Sequence, residues 1–118
     1  MPQTKPPGPW SKPGSPGFGV ARPPATATPQ IENDQVRVMR WDFPPGAETG
    51  WHRHGFEYVV VPVTRCVMRV ELPDGEVLEV TNEPGAAYTR LAGAEHNVIN
   101  AGTEPMAFVE IELLTRAG

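Results

Sequence analysis

From Ile31 onward the sequence consists of short runs of β-branched and aromatic residues separated by turn-forming residues. Nowhere do apolar residues recur with the 3.6-residue period of an amphipathic helix over ten residues, which argues against long helices. About seven short strands with frequent turns are typical of a β-sandwich or barrel, so the sequence predicts an all-β fold. The predicted runs are residues 36–43, 51–63, 66–72, 76–80, 86–90, 97–100 and 106–114.

Three of these runs carry further signals. Pro73-Asp74-Gly75 stands between the runs 66–72 and 76–80, and a loop with Asp-Gly between two β-like runs indicates a hairpin. In the last run Glu110 and Glu112 alternate with apolar residues, which predicts a strand with a solvent-exposed (wet) face that carries the glutamates and a buried (dry) face.

The first 30 residues differ from the rest. They hold nine of the fifteen prolines and no acidic residue. Proline fixes φ and restrains the preceding residue, so residues 1–30 are predicted to form an extended arm of polyproline II type, and residues 31–118 the β-barrel domain. Trp10 and Phe18 are candidates for pinning this arm to the barrel or to a second subunit. A linker, or a ligand for a proline-binding domain, is the alternative interpretation.

Charge and composition exclude several classes of function. Residues 31–118 contain all fourteen acids against seven bases, and this acidic balance argues against nucleic acid as the main partner. The absence of a long apolar run predicts no membrane span, and the absence of an apolar leader predicts no secretion signal. Cys66 cannot form an internal disulfide and is interpreted as a reduced, partly buried thiol of a cytoplasmic protein; a reactive nucleophile is the alternative.

The three histidines of the chain have an informative spacing. His52 and His54 are two apart in a β-like run, so both side chains emerge on one face and can reach a common point. His96 lies on a separate run and can supply a third ligand. Three ligands that leave open positions are typical of a catalytic or binding metal site; three unrelated histidines are the alternative.

The residues around these histidines resemble the two motifs of the cupin family. Gly46, five residues, and then His52-Arg53-His54 match the opening of the first motif. The second motif is matched by Gly85, Gly93, His96 and Asn100, with Leu91 where proline is usual. The resemblance covers residues 31–115 and is strongest to the small cupin 2 conserved-barrel proteins. It implies a double-stranded β-helix (jelly-roll) barrel, often dimeric, with the metal inside.

The chain departs from the family pattern at the glutamate of the first motif. Tyr58 and Val59 occupy the two positions where that glutamate is expected, and Glu57 comes one residue early. On a regular strand Glu57 points away from the histidines, but a bulge at Gly55 would turn it inward. Glu57 is therefore either a fourth ligand or a solvated strand carboxylate. Asn100 is interpreted as a residue that orients backbone rather than a ligand.

Three residues are candidates for binding substrate or for catalysis. Tyr58 shares the face of the histidines and is a candidate hydrogen-bond donor or acid. Tyr88 and Arg90 lead into the second motif, and an arginine beside a metal can hold a substrate carboxylate. Ordinary barrel packing or a surface charge is the alternative for each.

The expected cofactor is one divalent transition metal, from Fe, Mn, Ni, Cu and Zn, because imidazole ligands suit Fe, Ni, Cu and Zn and an added carboxylate would favour Mn or Fe. The functional hypothesis is a metal-dependent oxygenase, such as a dioxygenase, or a related enzyme that acts on a small polar or carboxylate compound. A non-catalytic metal-dependent binding or sensing module is the second hypothesis, and a metal that only stabilises the barrel is the third. A small barrel with an extended arm also predicts a homodimer.

Overall fold

The computed structural model describes residues 21–114, which form nine β-strands and no helix, and therefore no helix that could cross a membrane. The strands are β1 (Thr26–Glu32), β2 (Val36–Phe43), β3 (His52–Arg53), β4 (Tyr58–Pro62), β5 (Cys66–Glu71), β6 (Val77–Asn82), β7 (Tyr88–Arg90), β8 (Glu95–Asn100) and β9 (Met106–Leu113). The all-β prediction is confirmed. The predicted run 51–63 is split, because the chain leaves the strand at residues 54–57 around Gly55.

Two antiparallel sheets make up the barrel. One has the strand order β1-β2-β9-β4-β7 and the other has the order β3-β8-β5-β6. The predicted hairpin at residues 73–75 joins β5 to β6, and its turn is closed by the backbone N–H of Gly75, which donates to the carbonyl of Leu72 at 3.0 Å. Gly75 adopts a φ of 89°, the left-handed region that glycine enters without strain.

The apolar core lies in the space between the sheets. Alternate residues of β2 and β9 point inward, so Trp41 and Phe43 meet Phe108 across the strand pair. The rings of Phe43 and Phe108 lie 5.4 Å apart between centroids, in the tilted arrangement that aromatic pairs prefer. Cys66 belongs to this core, and burial raises the pKa of its thiol. The prediction of a free, buried thiol is confirmed, and the raised pKa disfavours a role as nucleophile.

The first strand was not predicted. β1 pairs with β2 over Thr26 to Glu32, so the predicted boundary between residues 30 and 31 lies inside a strand. The strand was concealed in the sequence because Pro29 interrupts the β-like pattern. In the structure this proline lies on an edge strand, at a register shift between Pro29 and Ile31. Residues 1–20 of the predicted arm, including Trp10 and Phe18, lie outside the described residues.

Asn100 joins the end of β8 to two loops. Its side-chain nitrogen donates to the carbonyls of Phe43 at 3.1 Å and Glu104 at 2.9 Å, and its oxygen accepts from the N–H of Gly102 at 2.9 Å. The side chain is buried, so these bonds are formed away from water. The interpretation of Asn100 as a residue that orients backbone is confirmed.

Replacing this amide should destabilise the barrel. We expect Asn100→Ala to lower the free energy of unfolding by about 2–4 kcal/mol, because it leaves buried backbone groups without partners. Urea denaturation measures the change, with Gln30→Ala, an exposed amide on β1, as the control that should cost less than about 0.5 kcal/mol. Equal stabilities of the two variants would contradict this account of Asn100.

Candidate metal centre

The pairing of β3 with β8 brings the two histidine motifs together. His52 lies directly opposite His96 in the antiparallel register, so their side chains emerge on the same face of the sheet. On the other face the indole N–H of Trp51 donates to the carboxylate of Glu95 at 2.7 Å, which holds the short strand against its neighbour. His54 follows β3 directly, and its backbone N–H donates to the carbonyl of Ala94 at 2.8 Å.

The ring nitrogens of the three histidines converge. The Nε2 atom of His54 lies 3.0 Å from Nε2 of His52 and 3.3 Å from Nε2 of His96. One candidate ligand atom from each histidine lies within 4.8 Å of the others. Two ligands of one metal, each bonded at about 2.1 Å and separated by 90–110°, are about 3.0–3.4 Å apart. The two separations from His54 match this spacing, and three imidazoles are a donor set that suits a transition-metal ion.

Burial keeps two of the rings neutral. It lowers the pKa of His52 to about 4, and it lowers that of His96 to about 2, where neighbouring His52 acts in the same direction. The Nδ1 atom of His52 lies 2.9 Å from the carbonyl oxygen of Gly50, which can only accept, so Nδ1 carries the proton. The lone pair on Nε2 of His52 is consequently free to face the other two histidines, as a metal ligand requires.

Two acidic side chains that the sequence analysis assigned to a wet face lie inside the barrel. Glu110 and Glu112 continue the inward-facing row of Met106 and Phe108 on β9. They approach His54: the carboxylate of Glu110 lies 3.9 Å from its Nε2, and that of Glu112 lies 3.8 Å from its Nδ1. The alternation was read correctly, but it could not tell a solvated face from an interior that holds histidines.

The two carboxyl groups differ in charge environment. Burial raises the pKa of Glu110. The indole N–H of Trp41 donates to its carboxylate at 3.4 Å. The imidazole of His54, 3.8 Å away, lowers the pKa of Glu112, with help from Arg37, which donates to it at 2.7 Å. Neighbouring carboxyl groups shifted in opposite directions are a common feature of sites that handle protons.

The structure does not bring Glu57 to the histidines. Its side chain is exposed, and it does not belong to the group of converging ligand atoms. The chain does leave the strand around Gly55, as the bulge hypothesis required, but this does not turn Glu57 inward, and its carbonyl accepts from the N–H of Leu113 at 2.9 Å. This contact fixes Glu57 at the barrel rim, with its carboxylate turned to solvent.

The three candidate substrate residues line one cavity of about 400 Å³ beside His96. Tyr58 is 1 % exposed and stacks on His54 with ring centroids 3.9 Å apart, and its hydroxyl has no hydrogen-bond partner among the described residues. The guanidinium of Arg90 lies 4.8 Å from the ring centroid of Tyr88. Burial raises the pKa of both tyrosines, that of Tyr88 to about 12, so each phenol stays protonated at neutral pH.

A smaller cavity of about 160 Å³ lies along the other side of the histidines. It is lined by His52 and His54, by Glu110 and Glu112, and by Arg37, Met39 and Trp41. Glu110 lines both cavities, so its carboxylate borders the space on each side of the candidate site.

The lowered pKa values predict that the metal-free protein loses stability as the pH falls. Unfolded histidine takes up a proton near pH 6.5, whereas His52 and His96 stay neutral in the folded protein down to about pH 4. The unfolded state therefore binds more protons in this window, and the free energy of unfolding should fall by at most about 1.4 kcal/mol per histidine and pH unit. Urea titrations of metal-free protein between about pH 7.5 and 5 measure this change. In His96→Gln the free energy of unfolding should fall less steeply with falling pH, and a slope equal to that of the wild type would contradict the prediction.

Comparisons with known proteins agree with this geometry. A curated relative, the beta-alanine degradation protein BauB of Pseudomonas aeruginosa, is 50 % identical over 92 residues, which cover 78 % of this chain and 96 % of the relative. A cupin domain from Bordetella pertussis, solved by crystallography, is 48 % identical with a TM-score of 0.77, and the match covers 84 % of this chain and 100 % of that one.

A more distant structure shares the fold. A protein from Klebsiella pneumoniae with a double-stranded β-helix domain is 22 % identical, with a TM-score of 0.66 over 80 % of this chain and 81 % of that chain. The family model described as "Cupin domain" matches residues 39–112, which contain all three histidines, both interior glutamates and the cavity residues Tyr58, Tyr88 and Arg90. This chain belongs to the cupin 2 family, and its fold is the cupin double-stranded β-helix.

Proposed function

We propose that this protein is a metal-dependent enzyme, an oxygenase or a related one, that binds one divalent transition metal at His52, His54 and His96 and acts on a small carboxylate compound. The observation that carries the proposal is the convergence of the three histidine rings beside a cavity of about 400 Å³. The guanidinium of Arg90 and the phenol of Tyr58, whose hydroxyl has no partner among the described residues, line the same cavity. Small-molecule sites are concave and mostly apolar, with a few polar groups that converge on the ligand.

Three neutral imidazoles are the proposed ligand set. They leave the full +2 charge on a bound metal, which would then supply Lewis acidity and open positions for water, dioxygen or an anionic substrate. Around it, the neutral state of His52 and His96 keeps their lone pairs available over the physiological pH range. Tyr58, stacked on His54, helps to fix the orientation of that ring.

Arg90 and Tyr58 are the proposed substrate-binding residues. The charge of Arg90 acts at the site: it offsets part of the rise in the pKa of Tyr58 that burial causes, and it contributes to the lowered pKa of His96. A guanidinium at the edge of a cavity is suited to hold a carboxylate through charge-assisted hydrogen bonds. The hydroxyl of Tyr58 is buried without a partner, a costly arrangement that an acceptor on the substrate would relieve.

The relative BauB suggests which carboxylate compounds to try first. Its name connects that protein with the degradation of beta-alanine, a molecule with a carboxylate at one end and an ammonium group at the other. Arg90 and Glu110 line the same cavity and offer one cation and one carboxylate. We therefore propose beta-alanine and the compounds derived from it as the first substrate panel.

Metal content is the direct test of the site. Elemental analysis of untagged protein should find close to one transition-metal ion per chain, and His52→Ala or His96→Ala should each abolish it, because a site with two imidazoles binds far more weakly. Arg65→Ala, which changes an exposed surface residue, is the control and should retain the metal. Folded protein that takes up none of Fe, Mn, Ni, Cu and Zn would refute the proposal.

The substrate side is tested with Arg90→Met. Loss of a charge-assisted hydrogen bond should raise the KM for carboxylate substrates by about 10- to 100-fold, or the Kd if turnover is not detected. Oxygen consumption by the metal-loaded protein and ligand-induced thermal shifts are the readouts, with Arg65→Met as the matched arginine control. Equal effects of the two substitutions would exclude Arg90 as the carboxylate site. Thermal shifts without turnover of any compound would make the protein a binding module instead.

A further inference from the structure

A second polar cluster lies on the opposite face of the sheet from the histidines. Asn97 follows the ligand His96 on β8, so its side chain points the other way, where it pairs across the strands with Glu71 of β5. Asn97 and Glu71 are both 0 % exposed, and Glu48 is buried beside them. Arg22, from the segment that precedes β1, completes the cluster. The cupin motifs assign no role to these four residues.

The amide of Asn97 is fully used. Its nitrogen donates to the carboxylates of Glu48 at 2.8 Å and Glu71 at 3.1 Å, and its oxygen accepts from the backbone N–H of Gly50 at 3.0 Å. With both carboxylates on the nitrogen side, the amide cannot turn over without pointing its oxygen at two other oxygens. The carboxylates therefore decide which end of Asn97 faces Gly50.

Arg22 allows the two carboxylates to lie side by side in the interior. Its guanidinium donates to Glu48 at 3.1 Å and lies 3.7 Å from the second oxygen of Glu71, which has no hydrogen bond within the described part of the chain. Buried carboxylates are stable only when they are paired, so removal of the guanidinium would leave them to repel each other. The same segment is fastened by backbone: the N–H of Glu48 donates to the carbonyl of Pro23 at 3.0 Å.

Gly50 connects this cluster with the metal ligands. Its N–H is held by Asn97, and its carbonyl accepts the Nδ1 proton of His52 at 2.9 Å. The hydroxyl of Thr49 donates to the same carbonyl at 2.8 Å and lies 3.4 Å from the oxygen of Asn97 and 3.3 Å from Nδ1 of His52. Gly50 has a φ of 88°, a turn that aims its carbonyl at the ring and that a residue with a Cβ would strain.

We propose that Asn97 is a positioning residue for His52, and that Arg22, through Glu48 and Glu71, holds Asn97 in the orientation this requires. The chain of contacts fixes the Gly50 carbonyl, which fixes the tautomer and the direction of the imidazole ring. The segment before β1 is by this account a part of the metal site, although it lies on the outer side of the sheet. The effect on metal affinity rests on the proposed function, whereas the effect on the tautomer does not.

The experiment compares Arg22→Gln and Asn97→Ala with the wild type, with Arg22→Lys as the conservative variant and Arg65→Gln as a matched arginine in an exposed ion pair. Two-bond ¹H–¹⁵N correlation spectra of metal-free protein at about pH 7.5 report which nitrogen of His52 carries the proton. Competition with a chromophoric chelator gives the affinity for Co²⁺ or Zn²⁺. Melting temperatures of the metal-free proteins separate these effects from general destabilisation.

The wild type should show the Nδ1–H tautomer at His52. Arg22→Gln and Asn97→Ala should populate the Nε2–H form and weaken metal binding by about 10- to 100-fold, Arg22→Lys should recover part of the affinity, and Arg65→Gln should change neither. If Asn97→Ala does not fold, Arg22→Gln decides the question, since it does not touch the ring. Lower melting temperatures with unchanged tautomer and affinity would make the cluster purely structural and overturn the proposal. A wild type that binds no metal would sink the proposed function, while the tautomer would still decide this inference.

Discussion

The antiparallel pairing of β3 with β8 is the interaction on which the candidate site depends. Only two residues of β3 take part, and they set His52 opposite His96. A shift of one residue in this register would turn His96 to the outer face and bring Asn97 inward. The contacts outside the two-residue ladder, from Trp51 to Glu95 and from His54 to Ala94, therefore secure a register that the ladder alone would specify weakly.

The barrel interior is divided between two kinds of environment. Aromatic side chains pack together in the core, and beside them three imidazoles and two carboxyl groups share a space bordered by cavities. Burial of polar groups costs free energy unless they are partnered, so the fold bears this cost at the site and offsets it with the burial of apolar side chains. The opposite pKa shifts of Glu110 and Glu112 follow from the same division: Glu110 is the more deeply placed, while Glu112 is reached by Arg37.

Much of this architecture was accessible from the sequence. Turn residues and alternation located β2, the β5–β6 hairpin and β9, and the spacing of the histidines predicted that they converge. Three features were not accessible. β1 was hidden by proline, the interior position of Glu110 and Glu112 depends on which face of β9 the barrel encloses, and the exposure of Glu57 depends on where the chain leaves the strand. Each is a matter of tertiary placement, which local pattern does not carry.

The short β3 also lies at the edge of its sheet, with β8 as its neighbour in the ladder. Elements with few backbone hydrogen bonds open locally at a fraction of the free energy of global unfolding. One of the proposed ligands, His52, is carried by this strand, whereas His96 is held in β8 between two neighbours. A metal at the proposed ligands would then be taken up and released at the rate at which this one edge strand opens. Such a barrel could exchange the ion at its centre without unfolding as a whole.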